Sequence, residues 1–440
     1  MSEAGRFVER LFQRDGSMLC IGGIPAEQLA GQAGTPVFVY DREIMRRSLA
    51  RLRAALPRRF DVYYSIKANP NRAILRVFLE EGCGLEVASS GELRLALAAG
   101  ADPRRVLFAG PGKTIEELEC AVAAKIAEIH VESADEIEAL GAVAARHAVR
   151  VGVAIRVNPG EEAQGGAMRM GGRASQFGVD EEILESVIDR VLAAPGLDFR
   201  GIHLFIGTQI LDHEVLALQY GNGLAIAERA ARHAKRPIDT LDLGGGLGIP
   251  YYTNDRELDV EAYGRAVHEL LETRAAVPAL AHAQLLIEPG RHLVGESGVY
   301  VCRVIRVKES RGKTFVITDG GMHHHLAASG NLGQVIKRNF PIAVINRLAE
   351  PPSLRADVVG PLCTPLDVLG RDVELPAVRP GDLIGVFQSG AYARTASPLE
   401  FLSHRTPAEI LVTNGRSEIV RRPRLPDDRG TNAEETANDG

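Results

Sequence analysis

Cysteine is scarce in this 440-residue chain: five thiols (Cys20, Cys83, Cys120, Cys302 and Cys363), odd in number, widely spaced and without a CxxC pair. That pattern argues against a disulfide framework and a zinc site, and a reducing cytoplasm is the expected location. No stretch of about 18 uncharged apolar residues occurs, and Met1 is followed by polar and charged residues with no apolar h-region. Neither membrane spanning nor export is therefore expected. An excess of charge of one sign is missing as well. The net formal charge of -6 gives no reason to expect nucleic acid or an anionic membrane as partner. A dinucleotide fingerprint is also absent, because Ile249 stands where the third glycine of GxGxxG would follow Gly244 and Gly246.

What is present is a globular composition, 45% hydrophobic and 25% charged, on a chain longer than one core usually supports, so two domains are expected. Eight β-type runs recur with amphipathic stretches between them. They are DVYYSIKA from Asp61, GLEVAS from Gly84, VLFAG from Val106, EIHVES from Glu128, VGVAIRVNP from Val151, FRGIHLFIGT from Phe199, TLDLGGG from Thr240 and QLLIEPGR from Gln284. The alternation predicts an α/β architecture with parallel strands, and eight units predict a (β/α)8 barrel rather than an open sheet. REIMRRSLARLRAAL from Arg42 and SGELRLALAAG from Ser90 carry apolar residues at helical spacing, the second stopping on Gly100 as a C-cap. After Gly298 the texture changes. VYVCRVIRVKESRGKTFVITD alternates like a hairpin, and ADVVG and DLIGVFQ, with their Pro and Gly punctuation, predict an antiparallel β domain. The expected organisation is an N-terminal segment over 1–40 packing with that β domain, a barrel over 41–300, the β domain over 301–420, and a charged, aliphatic-poor, disordered tail over 421–440.

In such a barrel the chemistry lies at the C-terminal ends of the strands, where the unusual residues fall. Lys67 ends the apolar run DVYYSI. An ammonium at the tip of a buried strand costs desolvation energy unless it has a partner or a reaction, and a desolvated amine condenses readily with an aldehyde. The same lysine could instead cap the strand and snorkel to solvent. His203 and Phe205 lie on the sixth run. Gly244, Gly245 and Gly246 end the seventh, where their amides can form an anion nest for a phosphate or serve turn geometry alone. Glu288 ends the eighth as a carboxylate in need of a partner: a protonated pyridine nitrogen, or Arg156 in a structural ion pair. Arg291 can hold a phosphate, a substrate carboxylate or a rim ion pair.

VYYSIKANPN, RVNP, SQFG, GIHLFIGTQ, LDLGGGLG, IEPGR, DGGM, GPLC and GAY occur in the order seen in the fold type III pyridoxal phosphate decarboxylases, and over roughly residues 40–395 the chain resembles that family of diaminopimelate, ornithine and arginine decarboxylases. The resemblance implies a barrel plus a C-terminal β domain, and a homodimer with active sites at the subunit interface. It implies that Lys67 forms the Schiff base with the cofactor, that Glu288 pairs with the pyridine nitrogen, and that Gly245, Gly246, Gly290, Arg291 and Tyr392 gather round the phosphate. His203, Phe205 and Thr208, from the HLFIGT stretch, are further cofactor contacts. Cys363 looks like the thiol that a partner subunit contributes as proton donor. A glutamate at the ring nitrogen favours decarboxylation over racemisation.

The departures bear on the substrate. Phe205 replaces the histidine of the family's HFHIGSQ, keeping an aromatic face and losing a titratable group. Glu86 stands where the family more often has aspartate. In place of GPxCESxD the chain has Gly360-Pro361-Leu362-Cys363-Thr364-Pro365-Leu366-Asp367, so the acid that holds a distal substrate ammonium is missing. The expected substrate is therefore an amino acid or derivative with a neutral, acylated or carrier-tethered far end, resembling offshoots in specialised or exopolysaccharide-associated pathways. Diaminopimelate decarboxylation is the alternative, with Asp367 supplying the charge from a shifted position. Arg291, His324, Thr364 and Asp367 are the candidate substrate contacts. Adjacent histidines at 323–325 point in different directions on any regular backbone, so no metal is expected there. A reading of another class is a non-catalytic pyridoxal phosphate-binding regulator, against which the retained Lys67, phosphate glycines and Cys363 argue.

Overall fold

The computed structural model describes residues 3–160, 168–169, 174–205, 207–252, 255–273, 277–332, 334 and 337–425. The chain divides into two units, one of residues 46–250 and 256–293, the other of residues 1–45, 251–255 and 294–440. Among the described residues no helix is long and apolar enough to cross a membrane.

The first unit is a closed parallel barrel. Its strands are β1 (Phe60–Ser65), β2 (Gly84–Val87), β3 (Val106–Phe108), β4 (Glu128–Val131), β5 (Val151–Asn158), β6 (Leu197–Leu204), β7 (Thr240–Asp242) and β8 (Gln284–Ile287). Each pairs in parallel with the next, and β8 returns to β1 through Leu285 opposite Phe60. The eight apolar runs thus form the eight barrel strands. They are continuous rather than alternating in hydrophobicity because both faces are covered, one by the barrel interior and one by helices. Helices α1 (Arg72–Glu80), α2 (Ser90–Ala98), α3 (Ile115–Ala124) and α4 (Ala134–His147) follow the first four strands. Their starts are set by side-chain caps: Asn71 accepts from Ala73 N, Ser89 from Glu92 N and Ser133 from Glu136 N, and Thr114 forms a full capping box with Glu117. Gly100 ends α2 at φ +99°, as its sequence predicts. Longer excursions follow β5, β6 and β7 and carry α5 (Leu184–Ala193), α6 (His213–Ala234) and α7 (Val260–Thr273).

The second unit is built on β9 (Gly298–Ser310), which forms the predicted hairpin with β10 (Lys313–Thr318) across Arg311 and Gly312, both at positive φ. Further strands of its main sheet are β11 (Ile342–Val344), β12 (Leu354–Val359), β13 (Val368–Leu375), β14 (Leu383–Val386), β15 (Ala408–Thr413) and β16 (Arg416–Arg421). The sheet is mostly antiparallel, with two exceptions to the expected pattern. Strand Val37–Asp41 from the N-terminal region pairs antiparallel with β9 on one side and parallel with β15 on the other, and β10 pairs parallel with β12. Because β9 and β15 run in opposite directions, a strand between them must be parallel to one of the two, here β15. Val37, Val39, Val299, Val301, Ile410 and Val412 form the centre of its apolar core. Residues 421–425, placed in the expected tail, are still tied to the sheet: Arg421 reaches Glu409, and Thr406 N donates to Arg424 O at 2.8 Å. The rest of that expected disordered tail lies outside the described residues.

Candidate active site

Lys67 occupies a short turn, Ile66–Ala68, just beyond the C-terminal end of β1. It is not the buried ammonium that the apolar run suggests. Its side chain is 42% exposed, and the buried group is its partner, Glu86 at the end of β2, which is 1% exposed. Nζ lies 3.2 Å from each Glu86 carboxylate oxygen, and Ser65 Oγ donates to the same carboxylate. The desolvation cost therefore rests on an acid that the lysine and a serine neutralise. Sequence reasoning noted Glu86 only as a departure from aspartate; its position at the tip of the neighbouring strand is the signal that could have paired it with Lys67.

Inside the barrel, four ionisable side chains from four strands meet. His130 (β4), His203 (β6), Asp242 (β7) and Glu288 (just past β8) are all buried, and their donor atoms lie within 4.8 Å of one another. His203 Nε2 is 3.5 Å from Glu288 Oε2, and His203 Nδ1 is 2.9 Å from His130 Nδ1. Burial lowers His203 to about 4, so the ring faces Glu288 uncharged at neutral pH. Asp242 is pushed well up, first by burial and then by Glu288. Burial pushes Glu288 up too, but His203, Lys67 and His130 outweigh it and hold this carboxyl below the ordinary range. The two acids are thus shifted in opposite directions, Asp242 up and Glu288 down. The ion pair expected as one option for Glu288 does not form: Arg156 binds Glu132 at 2.8 Å instead. Neither His130 nor Asp242 stood out in the sequence.

The loops after β6 and β7 are laced together. Ile210 N donates to Gly246 O and Gly248 N to Ile210 O, each at 2.9 Å, while Gln209 Nε2 donates to Ile249 O and Gln209 Oε1 accepts from Ile249 N. Glycine is required in this loop because the strand ends crowd it. Gly244 has φ +66°, and a Cβ on Gly245 would fall 2.5 Å from the Glu288 carbonyl oxygen. Gly290 is also crowded, with 2.9 Å from a Cβ there to Ala68 Cβ, and Arg291 and His292 follow it; His292 Nδ1 lies 3.1 Å from Gly248 O. Thr208 lies in the adjoining Gly207–Thr208 strand. Phe205 has two cations near its ring, Lys67 Nζ 5.9 Å and Arg156 Cζ 5.7 Å from the centroid. Lys67, His203, Phe205, Thr208, Gly245, Gly246, Glu288, Gly290 and Arg291 thus all lie on the barrel, at the C-terminal ends of the strands or in the loops that follow.

The other candidates belong to the β-sheet unit. Cys363 is exposed, beside Thr364. Tyr392 is half-buried at φ +51°. Asp367 is buried and fully engaged: its carboxylate accepts Met322 N at 2.6 Å and Leu362 N at 2.8 Å, and Gly321 and Gly360 leave room for it. It staples two turns and offers no free charge, because the chain folds back after Pro365 and turns the acid inward. His324 is buried as well, with Nδ1 3.1 Å from Tyr300 Oη and Nε2 3.0 Å from Arg405 O, so it is a packing histidine and not the expected rim contact.

The barrel residues fit a phosphorylated pyridine aldehyde. Glu288 Oε1 is buried without a hydrogen-bond partner among the described residues, a glycine cradle closed to any Cβ stands beside it, and an amine and an arginine border the same rim. Comparison with known proteins agrees. Residues 42–295 match the pyridoxal binding domain of the pyridoxal-dependent decarboxylases. The chain is 38% identical over 398 residues to the L-glutamyl-[BtrI acyl-carrier protein] decarboxylase of Niallia circulans, covering 90% of this chain and 92% of that one. It is 33% identical to diaminopimelate decarboxylase of Zymomonas mobilis, covering 95% and 97%. Diaminopimelate decarboxylase of Helicobacter pylori complexed with L-lysine superposes with a TM-score of 0.82 at 27% identity, over 93% of this chain and 99% of that one. The chain belongs to the pyridoxal-dependent decarboxylases, carboxy-lyases that act on amino acids with pyridoxal phosphate as cofactor.

Proposed function

We propose that this decarboxylase removes the α-carboxylate from an amino-acid unit whose far end bears no free ammonium, a carrier-tethered or otherwise acylated amino acid being the substrate class. The observation that carries this reading is the loop around Cys363. Thr364 stands where an acid would meet a distal ammonium, and Asp367, the next acid along the chain, has both carboxylate oxygens committed to backbone amides. Enclosing an ammonium without a carboxylate would cost several kcal/mol, on the order of the penalty for an unpaired buried charge. The relative from Niallia circulans, which acts on a glutamyl carrier protein, supports the same class.

Bound pyridoxal phosphate supplies an aldehyde for the substrate amine and a ring that takes up the electron pair released with carbon dioxide. Lys67 is the amine that holds the cofactor, and Glu86 keeps Nζ in place and exchanges protons with it. Glu288 holds the proton of the ring nitrogen. Gly245, Gly246, Gly290, Arg291, Thr208 and Tyr392 bind the phosphate, and Phe205 covers the ring and excludes water. Cys363 delivers a proton to Cα from a second subunit, a role for which an exposed thiol is suited. The working form is thus a homodimer with shared sites, in a reducing cytoplasm.

The test is carbon dioxide release from free meso-diaminopimelate, ornithine, arginine and glutamate, set against glutamyl-loaded carrier protein. A kcat/KM for the loaded or acylated substrate at least about 100-fold above the free diamino acids is expected, the size of discrimination set by an unpaired polar group. Diaminopimelate turned over at equal efficiency would instead support diaminopimelate decarboxylation, the reading favoured by the 33%-identical relative.

A further inference from the structure

The buried quartet holds more polar groups than a glutamate facing a pyridine needs. Behind Glu288 the chain of contacts continues through His203 and His130 to Glu128 at the start of β4, whose Oε2 lies 3.8 Å from His130 Nε2 and accepts Thr240 Oγ1 at 3.1 Å. We propose that His130 is a positioning residue: its Nδ1 hydrogen bond to His203 Nδ1 locks the tautomer in which His203 presents Nε2–H to Glu288. The inference rests on the proposed role of Glu288 at the cofactor's ring nitrogen and names the device that keeps that carboxylate charged.

A neutral imidazole has one N–H, so in a contact between two Nδ1 atoms one ring donates and the other accepts. If His203 donated, its Nε2 would point a lone pair at the Glu288 carboxylate, two acceptors 3.5 Å apart in a buried site. If His130 donates, His203 Nε2–H faces Glu288 and His130 Nε2 is left bare. Both Nε2 atoms are buried without a hydrogen-bond partner among the described residues, and the second arrangement turns the N–H toward the nearer carboxylate, Glu288 at 3.5 Å, leaving the lone pair toward Glu128 at 3.8 Å. Asp242 lies beside the same cluster on the β7 side. The other charged groups that act on the chain are Lys67 and Arg156 from the rim.

Histidine-selective 15N NMR of the cofactor-free protein tests this directly. His130 in the Nδ1–H form, the less common tautomer of free histidine, with His203 in the Nε2–H form is the expected result, and the reverse pattern would overturn the proposal. So would a stoichiometric divalent ion, found by elemental analysis, that replaces the Nδ1–H signal. In parallel, His130→Leu should weaken pyridoxal phosphate binding at least about tenfold in an absorbance titration, whereas His130→Asn, which keeps a donor, should stay within about threefold of wild type. Equal binding by wild type and both variants would sink the lock. Glu288→Gln separates the two readings: if it leaves the bound cofactor's absorbance unchanged, the role of Glu288 fails, while the NMR result still reports on the tautomer.

Discussion

Lys67 Nζ stands 3.2 Å from both carboxylate oxygens of Glu86, so a half-exposed ammonium is held by a buried acid on β2. Replacing Glu86 with Gln keeps the shape and removes the charge. Cofactor attachment should slow by about tenfold or more, followed as growth of the absorbance band or as the borohydride-trapped adduct, with a stability change of about 1–3 kcal/mol at most. Attachment at the wild-type rate would mean that Glu86 is only a packing group.

The glycine loop gives a second expectation. Gly245→Ala puts a methyl group 2.5 Å from the Glu288 carbonyl oxygen, and the two strand ends must part to admit it. A loss of about 1–3 kcal/mol is expected in denaturant unfolding. Pyridoxal phosphate affinity should fall further than stability does, because the displaced backbone includes Glu288.

Shared active sites can be tested by mixing subunits. Lys67→Ala and Cys363→Ala should each be nearly inactive alone, and Cys363→Ala should leave stability within about 0.5 kcal/mol because the thiol is exposed. If each site takes one residue from each subunit, scrambled heterodimers hold one intact site, and the mixture should recover up to about one quarter of wild-type activity. No recovery after verified exchange would rule out a Cys363 that works across an interface.

The histidine run predicts the acid limit of the fold. Burial lowers His323 to about 4, His324 to about 2 with His323 adding to the effect, and His325 to about 3. These rings are neutral in the fold but bind protons near 6.5 when unfolded, so the unfolded state takes up more protons below that pH. Stability should accordingly be full above about pH 6.5 and fall with acidification through the window down to about pH 4, by roughly 1.4 kcal/mol per pH unit for each ring. His325 receives a hydrogen bond from Ala328 N and faces Ser389 Oγ at 2.9 Å. His325→Gln should lower stability at neutral pH while flattening the acid slope by about one proton in urea unfolding across pH 4–7. An unchanged slope would show that His325 does not titrate in this window.

Much of this was legible in the residues because each signal was local. The eight apolar runs, the serine, threonine and asparagine caps, and the glycines at β7 each need only a few neighbours to be read. The partners of the site were not legible for the opposite reason. His130 and His203 lie 73 positions apart, and Lys67 and Glu86 lie 19 apart on adjacent strands, so their meeting depends on barrel register. Asp367 failed differently: nearness in sequence to Cys363 suggested a substrate contact, but two backbone amides captured its carboxylate.

Tyr40 donates to Glu409 at 2.8 Å across 369 residues of chain, within the sheet where the early strand Val37–Asp41 lies between β9 and β15. On the ribosome that strand emerges with both edges bare and waits for most of the polypeptide before either neighbour exists. Synthesis therefore imposes a long interval in which a short strand destined for full burial must be shielded, and chaperone supply or translation rate, more than the stability of the finished enzyme, should limit soluble yield.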